Sequence, residues 1–424
     1  MKFHNQIFVA LLAGALTGAV FTTDTAIFGV RVIDTLDFVG DLFIRALQMI
    51  VVPLVVSAII SSLAGLADGR ALGRLGGKTL LYYLTTSTIA VLVGLVLVNS
   101  IAPGIIDGEA AGDRLGLAED TEETLEDVEA GGAGDFAGVI KDMVPPNLVE
   151  AAAEGQLLGL IVFALLFGFF LRQVEGQPGE ALRGAIEGFY ETMVKITLFI
   201  IRFAPIGVFA LIGAVAMRTG LDAIAPLAWF FITVILALLI HGFVILPLAM
   251  HFIARRSPVR HFQAMSPALA TAFSTASSAA TLPLTLECLE KRAGVSRRTS
   301  SFVSPLGATV NMDGTALFEC VAVIFIAQAY GMDLGFTEQF LIVITAILTS
   351  IGVASVPAAS LVAIVLILGV VGLPAEAIGL ILAVDRILDM CRTAVNVWGD
   401  SVGAVLIARS EGEEDVLTEK PGAL

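Results

Sequence analysis

Residues 262–289 read FQAMSPALATAFSTASSAATLPLTLECL, an apolar stretch whose middle, Ser274 to Pro283, is built of small and hydroxylated residues. Basic clusters flank it: Arg255, Arg256 and Arg260 precede it, and Lys291, Arg292, Arg297 and Arg298 follow. Loops rich in Lys and Arg stay on the cytoplasmic side of a bilayer, so both ends of this segment belong to one face. The segment is therefore read as a re-entrant hairpin. A small, hydroxylated tip suits backbone whose unpaired N–H and C=O groups must find partners in protein or water, because lipid offers none.

Residues 340–373 repeat the pattern from the other side. They run apolar, are interrupted by Gly352-Val353-Ala354-Ser355-Val356-Pro357, and lie in a region that has no Lys or Arg between Thr299 and Asp385. The acidic flanks Asp333, Glu338 and Glu376 place both ends outside the cell. Two hairpins entering from opposite faces, each followed by a long helix, form an inverted repeat. Secondary transporters hold substrate and ions where such interrupted helices meet near the bilayer midplane.

Composition agrees. The chain is 57% hydrophobic and only 15% charged, with a mean hydropathy of +0.92, outside the range of soluble domains. Stretches 7–21, 42–67, 80–102, 156–171, 196–216 and 223–250 are apolar. Several reach the roughly 20 residues that one crossing needs. The first is read as a span and not as a cleaved leader, since more spans follow it. Arg70, Arg74 and Lys78 add a third basic loop, so both termini are expected in the cytoplasm. Between Asp107 and Asp135 stand eleven acidic residues and one basic one, Arg114, which reads as a solvated outer loop. Cys288, Cys320 and Cys391 all fall in apolar or hairpin segments, where a packing role is the default.

The last apolar helix carries Asp385, Arg386, Asp389, Arg392, Thr393, Asn396 and Asp400. At 100° per residue all but Arg386 fall within an arc of about 100°. Each ionised residue facing lipid costs roughly 2.5–3.5 kcal/mol, so this face must line protein or water. A structural network in which Asp385 and Asp389 merely neutralise Arg392 is the plain alternative. A guanidinium fork matches a carboxylate bidentately, which makes Arg392 the natural receptor for an acidic side chain. Asp389, an acceptor when ionised, suits an ammonium group.

Upstream stands Asn311-Met312-Asp313-Gly314-Thr315, with Glu319 one turn later. With this motif, the DxxxDxxRTxxNxxxD helix from Asp385 to Asp400, both hairpins, Leu47-Gln48-Met49-Ile50-Val51-Val52-Pro53-Leu54 and Phe203-Ala204-Pro205-Ile206-Gly207-Val208-Phe209-Ala210, the chain resembles the dicarboxylate/amino acid:cation symporter family. That family includes archaeal aspartate transporters and animal excitatory amino acid transporters. The resemblance implies an all-α polytopic membrane protein with eight transmembrane helices, two re-entrant helical hairpins and an inverted-repeat transport core. It implies scaffold helices 1 and 2 over 1–78, helix 3 over 79–106, an acidic outer loop over 107–142 and scaffold helices 4 and 5 over 143–220. Helix 6 follows over 221–257, hairpin one over 258–292, helix 7 over 293–332, hairpin two over 333–372, helix 8 over 373–409 and a cytoplasmic tail over 410–424. It further implies a homotrimer in the inner (plasma) membrane that works by an elevator-like excursion, with no enzymatic activity, organic cofactor or nucleic-acid partner.

Carried over residue by residue, Arg392 and Thr315 would hold the substrate side-chain carboxylate and Asp389 its amino group. Asn396 and Ser278 would hold the main carboxylate, with Ser277, Val356 and Thr393 beside them. Asp385 resembles the carboxylate that orients the arginine. One sodium ion would use Gly307, Asn311, Asn396 and Asp400, and a second Thr309, Ser350, Ile351 and Val353. A third would use Tyr83, Thr86, Ser87, Asn311 and Asp313. Hard oxygen donors of this kind suit a desolvated alkali cation. The expected activity is sodium-coupled symport of aspartate or glutamate. A proton-coupled glutamate/aspartate or C4-dicarboxylate symporter of the same fold is the alternative, because Glu319 is either a proton carrier or a permanently protonated hydrogen-bonding group. Ala276 and Met390 replace arginines of archaeal and animal relatives, and Arg386 resembles an arginine of bacterial ones. His241, alone in helix 6, reads as a buried, hydrogen-bonded histidine.

Three other classes fit poorly. A nucleotide-driven pump lacks a phosphate loop, since Leu72 stands where the first glycine of the nearest match belongs. An intramembrane aspartyl protease needs two facing carboxylates that share a proton, and Arg392 would keep these ionised. A simple pore gives paired amine and carboxylate receptors no role.

Overall fold

The computed structural model describes residues 3–64, 74–115, 141, 143–153, 157–219, 224–352 and 359–418. Val353 and Val356 of the second hairpin tip, most of the acidic stretch (116–140), Arg70 and the end of the tail lie outside the described residues.

The described chain is helical apart from two short hairpins, Ala26–Ile27 with Val30–Arg31 and Ile105–Ile106 with Glu109–Ala110. The longer helices are α1 (Phe3–Val20), α2 (Val32–Ala64), α3 (Arg74–Ile101), α4 (Leu157–Leu171), α5 (Gly176–Ile201), α6 (Ala204–Thr219) and α7 (Ile224–Ile240). They continue with α8 (Pro258–Thr275), α9 (Ser278–Lys291), α10 (Arg297–Val310), α11 (Asp313–Ala329), α12 (Phe336–Gly352), α13 (Ala359–Val370) and α14 (Gly379–Ser410).

Among the described residues four helices are long and apolar enough to cross a membrane: Val32–Ser61, Arg74–Ile101, Ala225–Ala254 and Arg297–Ala329. A fifth joins them if Gly176–Ile201 and Ala204–Arg218, bent by 51° at their junction, form one broken span. α14, at 32 residues, also exceeds the roughly 20 residues of one crossing and differs in carrying the charged stripe.

Two groups of helices pack together. In the first, α1 lies on α6, and α2 lies on α4, α5 and α6. Gly14 and Gly18 of α1 make the first contact possible, since a Cβ on Gly18 would overlap the backbone of Ala216 in α6. Small residues four apart let membrane helices approach closely where hydrophobic burial gives no drive. The second group surrounds α11, in which every residue but Gln328 is buried, with α3, α7, α12, α13 and α14 against it. α12 and α13 also touch α2 and α4, so they lie between the groups.

Three local breaks position the polar groups. α8 and α9 pack on one another and meet at a two-residue turn, where Ala276 takes a left-handed conformation (φ 50°) and Ser277 caps α9 by accepting from the Ala280 N–H at 3.2 Å. The stretch read as helix 7 over 293–332 contains the single candidate span Arg297–Ala329, interrupted between α10 and α11. Asn311 (φ −97°, ψ 80°) and Met312 (φ −107°, ψ 53°) leave helical geometry between them. α7 continues to Ala254 through two π-helical turns, His241–Ile245 and Met250–Ala254. Pro247 has no N–H and would clash with the carbonyl four residues back. The wider turn relieves this, with the Leu246 N–H bonding to the His241 carbonyl five residues earlier.

Candidate functional site

The polar face of α14 points into the second group of helices. Arg392, 1% exposed, donates from Nη1 to Asp385 Oδ1 at 3.0 Å and from Nη2 to Asp389 Oδ1 at 2.9 Å and Ser360 Oγ at 2.8 Å. Its guanidinium carbon sits 3.8 Å from the ring centre of Phe318, a cation–π contact from α11. Its Nε–H is buried without a partner among the described residues. Arg386, the residue outside the arc, still reaches the cluster, with Nη1 3.6 Å from Asp389 Oδ2. Thr393 Oγ1 donates to the Asp389 carbonyl, a bond within the helix.

One turn on, Asn396 bridges to the start of α11. Its Oδ1 accepts from the Gly314 N–H at 2.8 Å and its Nδ2 donates to Thr315 Oγ1 at 3.1 Å. Gly314 must lack a side chain, because a Cβ there would come within 2.8 Å of the Arg392 carbonyl. The close approach of two helix backbones is therefore written into the Asn-Met-Asp-Gly-Thr motif.

Further along lies a cluster of oxygens. Asn311 Nδ2 donates to Asp400 Oδ1 at 3.0 Å, and Asn311 Oδ1 is 3.3 Å from Thr86 Oγ1 of α3. Ser87 Oγ donates to Asp313 Oδ1 at 2.7 Å. Gly307 comes so close that a Cβ on it would overlap Asp400 Oδ1 and lie 2.6 Å from the Tyr83 hydroxyl. That hydroxyl donates to the Val303 carbonyl at 2.7 Å. The break at 311–312 turns two successive polar side chains of the motif, Asn311 and Asp313, onto α3 and α14 together.

His241 belongs to this cluster. Its Nε2 lies 3.1 Å from Asp313 Oδ2, with both side chains fully buried. A carboxylate only accepts, so Nε2 is assigned as the donor of this bond. The sequence expectation of a buried, hydrogen-bonded histidine is met. Its partner, 72 residues away, was not foreseen.

Glu319 lies apart, fully buried in α11. Its Oε2 is 2.8 Å from Thr349 Oγ1 of α12, and its Oε1 has no partner among the described residues. The remaining expected residues are more scattered. Ser278 is buried at the start of α9, while Ser277 is spent on its cap. Ser350 is buried and Ile351 half-buried at the end of α12, and Thr309 is exposed with its hydroxyl turned back on the Leu306 carbonyl at 3.0 Å. The structure thus brings together Asp385, Asp389, Arg392 and Ser360, then Asn396 with Gly314 and Thr315, then Thr86, Ser87, Asn311, Asp313, Asp400 and His241.

Chemically the arrangement can engage charged groups: a buried cation with carboxylates on either side, beside an oxygen-rich cluster. Comparison with known proteins fits. Residues 3–410 match the model of the sodium:dicarboxylate symporter family. The chain is 36% identical to a proton/glutamate-aspartate symporter of Escherichia coli (strain K12), over 97% of this chain and 93% of the relative. It is 35% identical to a proton/sodium-glutamate symport protein of Bacillus caldotenax, over 96% and 94% of the two chains. It is also 36% identical to excitatory amino acid transporter 1 of Ambystoma tigrinum, over 94% of this chain and 81% of that one. Matched by the family along almost its whole length and similar to symporters throughout, this chain belongs to the sodium:dicarboxylate symporter family of membrane transporters.

Proposed function

We propose that this protein is a sodium-coupled symporter of acidic amino acids, aspartate or glutamate. The observation that carries the reading is Arg392: a buried guanidinium between two carboxylates, next to a cage of neutral and anionic oxygens. An acidic amino acid offers one ammonium and two carboxylates. Arg392 with Thr315 would take the side-chain carboxylate, Asp389 the ammonium, and Asn396 with Ser278 the main carboxylate. Asp389 disfavours a dicarboxylate without an amine, and Arg392 disfavours a neutral amino acid.

Sodium would use the cage. Asp313, Asn311, Thr86, Ser87 and Tyr83 supply hard oxygens at one place, and Asp400, Asn396 and the Gly307 carbonyl at the next. A third position would be built by Thr309 of α10 with Ser350, Ile351 and Val353 of the second hairpin. His241, by donating to Asp313 Oδ2, would leave Oδ1 and Ser87 for the ion. Because Asn396 would serve both an ion position and the main carboxylate, an ion there would fix a group the substrate needs. That gives the reciprocal coupling required of a symporter.

The architecture proposed with this activity is eight spans and two re-entrant hairpins in the plasma membrane, with both termini cytoplasmic and three copies in the assembly. α8–α14, α3 and α7 would move against α1, α2 and α4–α6. The name of the Escherichia coli relative and one local feature favour a proton as an additional or alternative driver. Thr349 Oγ1 has a single hydrogen, yet Glu319 Oε2 and the Thr345 carbonyl both lie 2.8 Å from it. A proton on Glu319 lets the carboxyl donate to Thr349 while Thr349 donates to the carbonyl, which satisfies both groups. Calorimetric titration with aspartate, glutamate, succinate and serine at several sodium concentrations tests the reading. Sodium-dependent heats with the first two alone are expected, and equal binding of succinate would overturn the amine assignment.

A further inference from the structure

At the start of α8 lies an open basic hollow, and further along the same helix an apolar groove. The hollow, about 510 Å³, is lined by His251, Arg255, Arg256, Ser257 and Pro258. The groove, about 420 Å³, lies between α7, α8 and α14, with Phe243, Phe262, Leu269, Phe273, Val395 and Trp398 among its walls. Pro258, Phe262, Ser266, Leu269 and Phe273 follow one another at steps of three and four, so hollow and groove are consecutive sections of a single helix face. From Phe262 to Phe273 the helix rises about 17 Å, close to the roughly 15 Å of one leaflet of a hydrocarbon core.

The two basic side chains at the rim differ in their engagements. Arg256 is occupied, donating from Nε to the Val416 carbonyl and from Nη2 to the Glu414 carbonyl, each at 2.6 Å. Arg255 stands in the left-handed conformation (φ 52°), is exposed, and has no side-chain partner among the described residues. His251 beside it is exposed as well. In a chain of net charge −15, this is a local concentration of positive charge just ahead of the helix that walls the apolar groove.

We propose that this face binds a phospholipid with an anionic headgroup, its phosphate on Arg255 and His251 and one acyl chain in the groove. Charge complementarity selects the head and the apolar walls select the chain. Their continuity on one helix face calls for both in one molecule. Basic pockets beside membrane helices recognise anionic headgroups in this way. The site is separate from the transport face, because the α14 residues that line the groove lie away from Asp389, Arg392 and Asn396. α8, α14 and the bound lipid would therefore belong to one body.

Trp398 lines the groove, and the chain has one other tryptophan, Trp229. In the reconstituted full chain carrying Trp229→Phe, fluorescence therefore reports the groove. Phosphatidylglycerol brominated on its chains is expected to quench Trp398 more strongly than brominated phosphatidylcholine at equal mole fraction. Adding Arg255→Gln should reduce that preference about fivefold, the equivalent of one basic group at an anionic surface. Arg255 is exposed, so its replacement leaves the fold intact. Equal quenching by the two lipids, or a preference untouched by Arg255→Gln, overturns the proposal. Loss of the preference in excess inorganic phosphate also overturns it, by assigning the hollow to a free anion.

Discussion

Arg392 Nη2 donates to Ser360 Oγ at 2.8 Å, which ties α13 directly to the charged centre of α14. A guanidinium presents its two-pronged edges through Nε with Nη2, or through Nη1 with Nη2, and Nη2 is common to both. Here it is committed to Ser360 and Asp389. A substrate carboxylate that binds bidentately must therefore displace one of them. Displacing Asp389 would release an acceptor for the ammonium, and displacing Ser360 would release α13.

Replacing Arg392 and replacing Ser360 should therefore differ sharply. Arg392→Ala takes the guanidinium away from buried Asp385, leaves Asp389 with Arg386, and removes the carboxylate receptor. Roughly 2–5 kcal/mol of binding should be lost, enough to abolish measurable aspartate binding at the upper end. Ser360→Ala removes one competitor for Nη2, and a neutral hydrogen bond is worth about 0.5–1.5 kcal/mol, so aspartate affinity should stay within about tenfold and not fall. Calorimetry on both variants checks this. Unchanged affinity in Arg392→Ala would sink the assignment.

Gly307→Ala probes the cage from outside the substrate contacts. The new methyl would push on Asp400 and the Tyr83 hydroxyl, a strain of roughly 1–3 kcal/mol in a packed interior. The sodium concentration for half-maximal binding should rise about tenfold, with aspartate affinity at saturating sodium little changed. An unaltered sodium dependence would show that these oxygens do not hold the ion.

Glu319→Gln keeps the shape and gives Thr349 a donor, as a protonated carboxyl would. Its thermal stability should match the native chain within about 1 kcal/mol, since the hydrogen-bond pattern is kept. If Glu319 exchanges a proton during transport, uptake by the variant loses the pH dependence seen in the native chain. A variant as pH-sensitive as the native chain points to a proton site elsewhere.

The tail supplies a pH-dependent clasp. Glu411 accepts from Arg74 Nε at 3.0 Å and Nη2 at 2.9 Å, and from Lys78 Nζ at 2.7 Å. The hydrogen bonds from Arg74 and then Lys78 hold its carboxyl down at about 2, against an ordinary 4.5. A depressed carboxyl contributes stability in full above its unfolded value and loses it as pH falls toward the folded one. Melting temperature should therefore drop between about pH 5 and pH 2 more steeply in the native chain than in Glu411→Gln. The difference should shrink in high salt, because Arg74 is exposed.

Sequence and structure meet most closely where a local pattern dictates geometry. The small residues around Ala276 and Ser277 mark the turn between α8 and α9, and the spacing of Asp385, Asp389 and Arg392 places them on one buried face of α14. What escaped the sequence lies across helices. Nothing in the neighbourhood of His241 points to Asp313, 72 residues away. Phe318 beneath Arg392 reads as one more apolar residue of α11. Thr349 reads as a polar interruption of α12, and only packing sets it against Glu319. Composition and charge spacing cannot report such contacts, because tertiary packing and not local propensity determines them.

Sodium and an acidic amino acid should cross the membrane together. Proteoliposomes carrying the full chain should accumulate aspartate or glutamate under an inward sodium gradient without any proton gradient. Accumulation should cease when choline replaces sodium, even with an inward proton gradient imposed. Uptake that persists under the proton gradient in the absence of sodium would contradict the central claim.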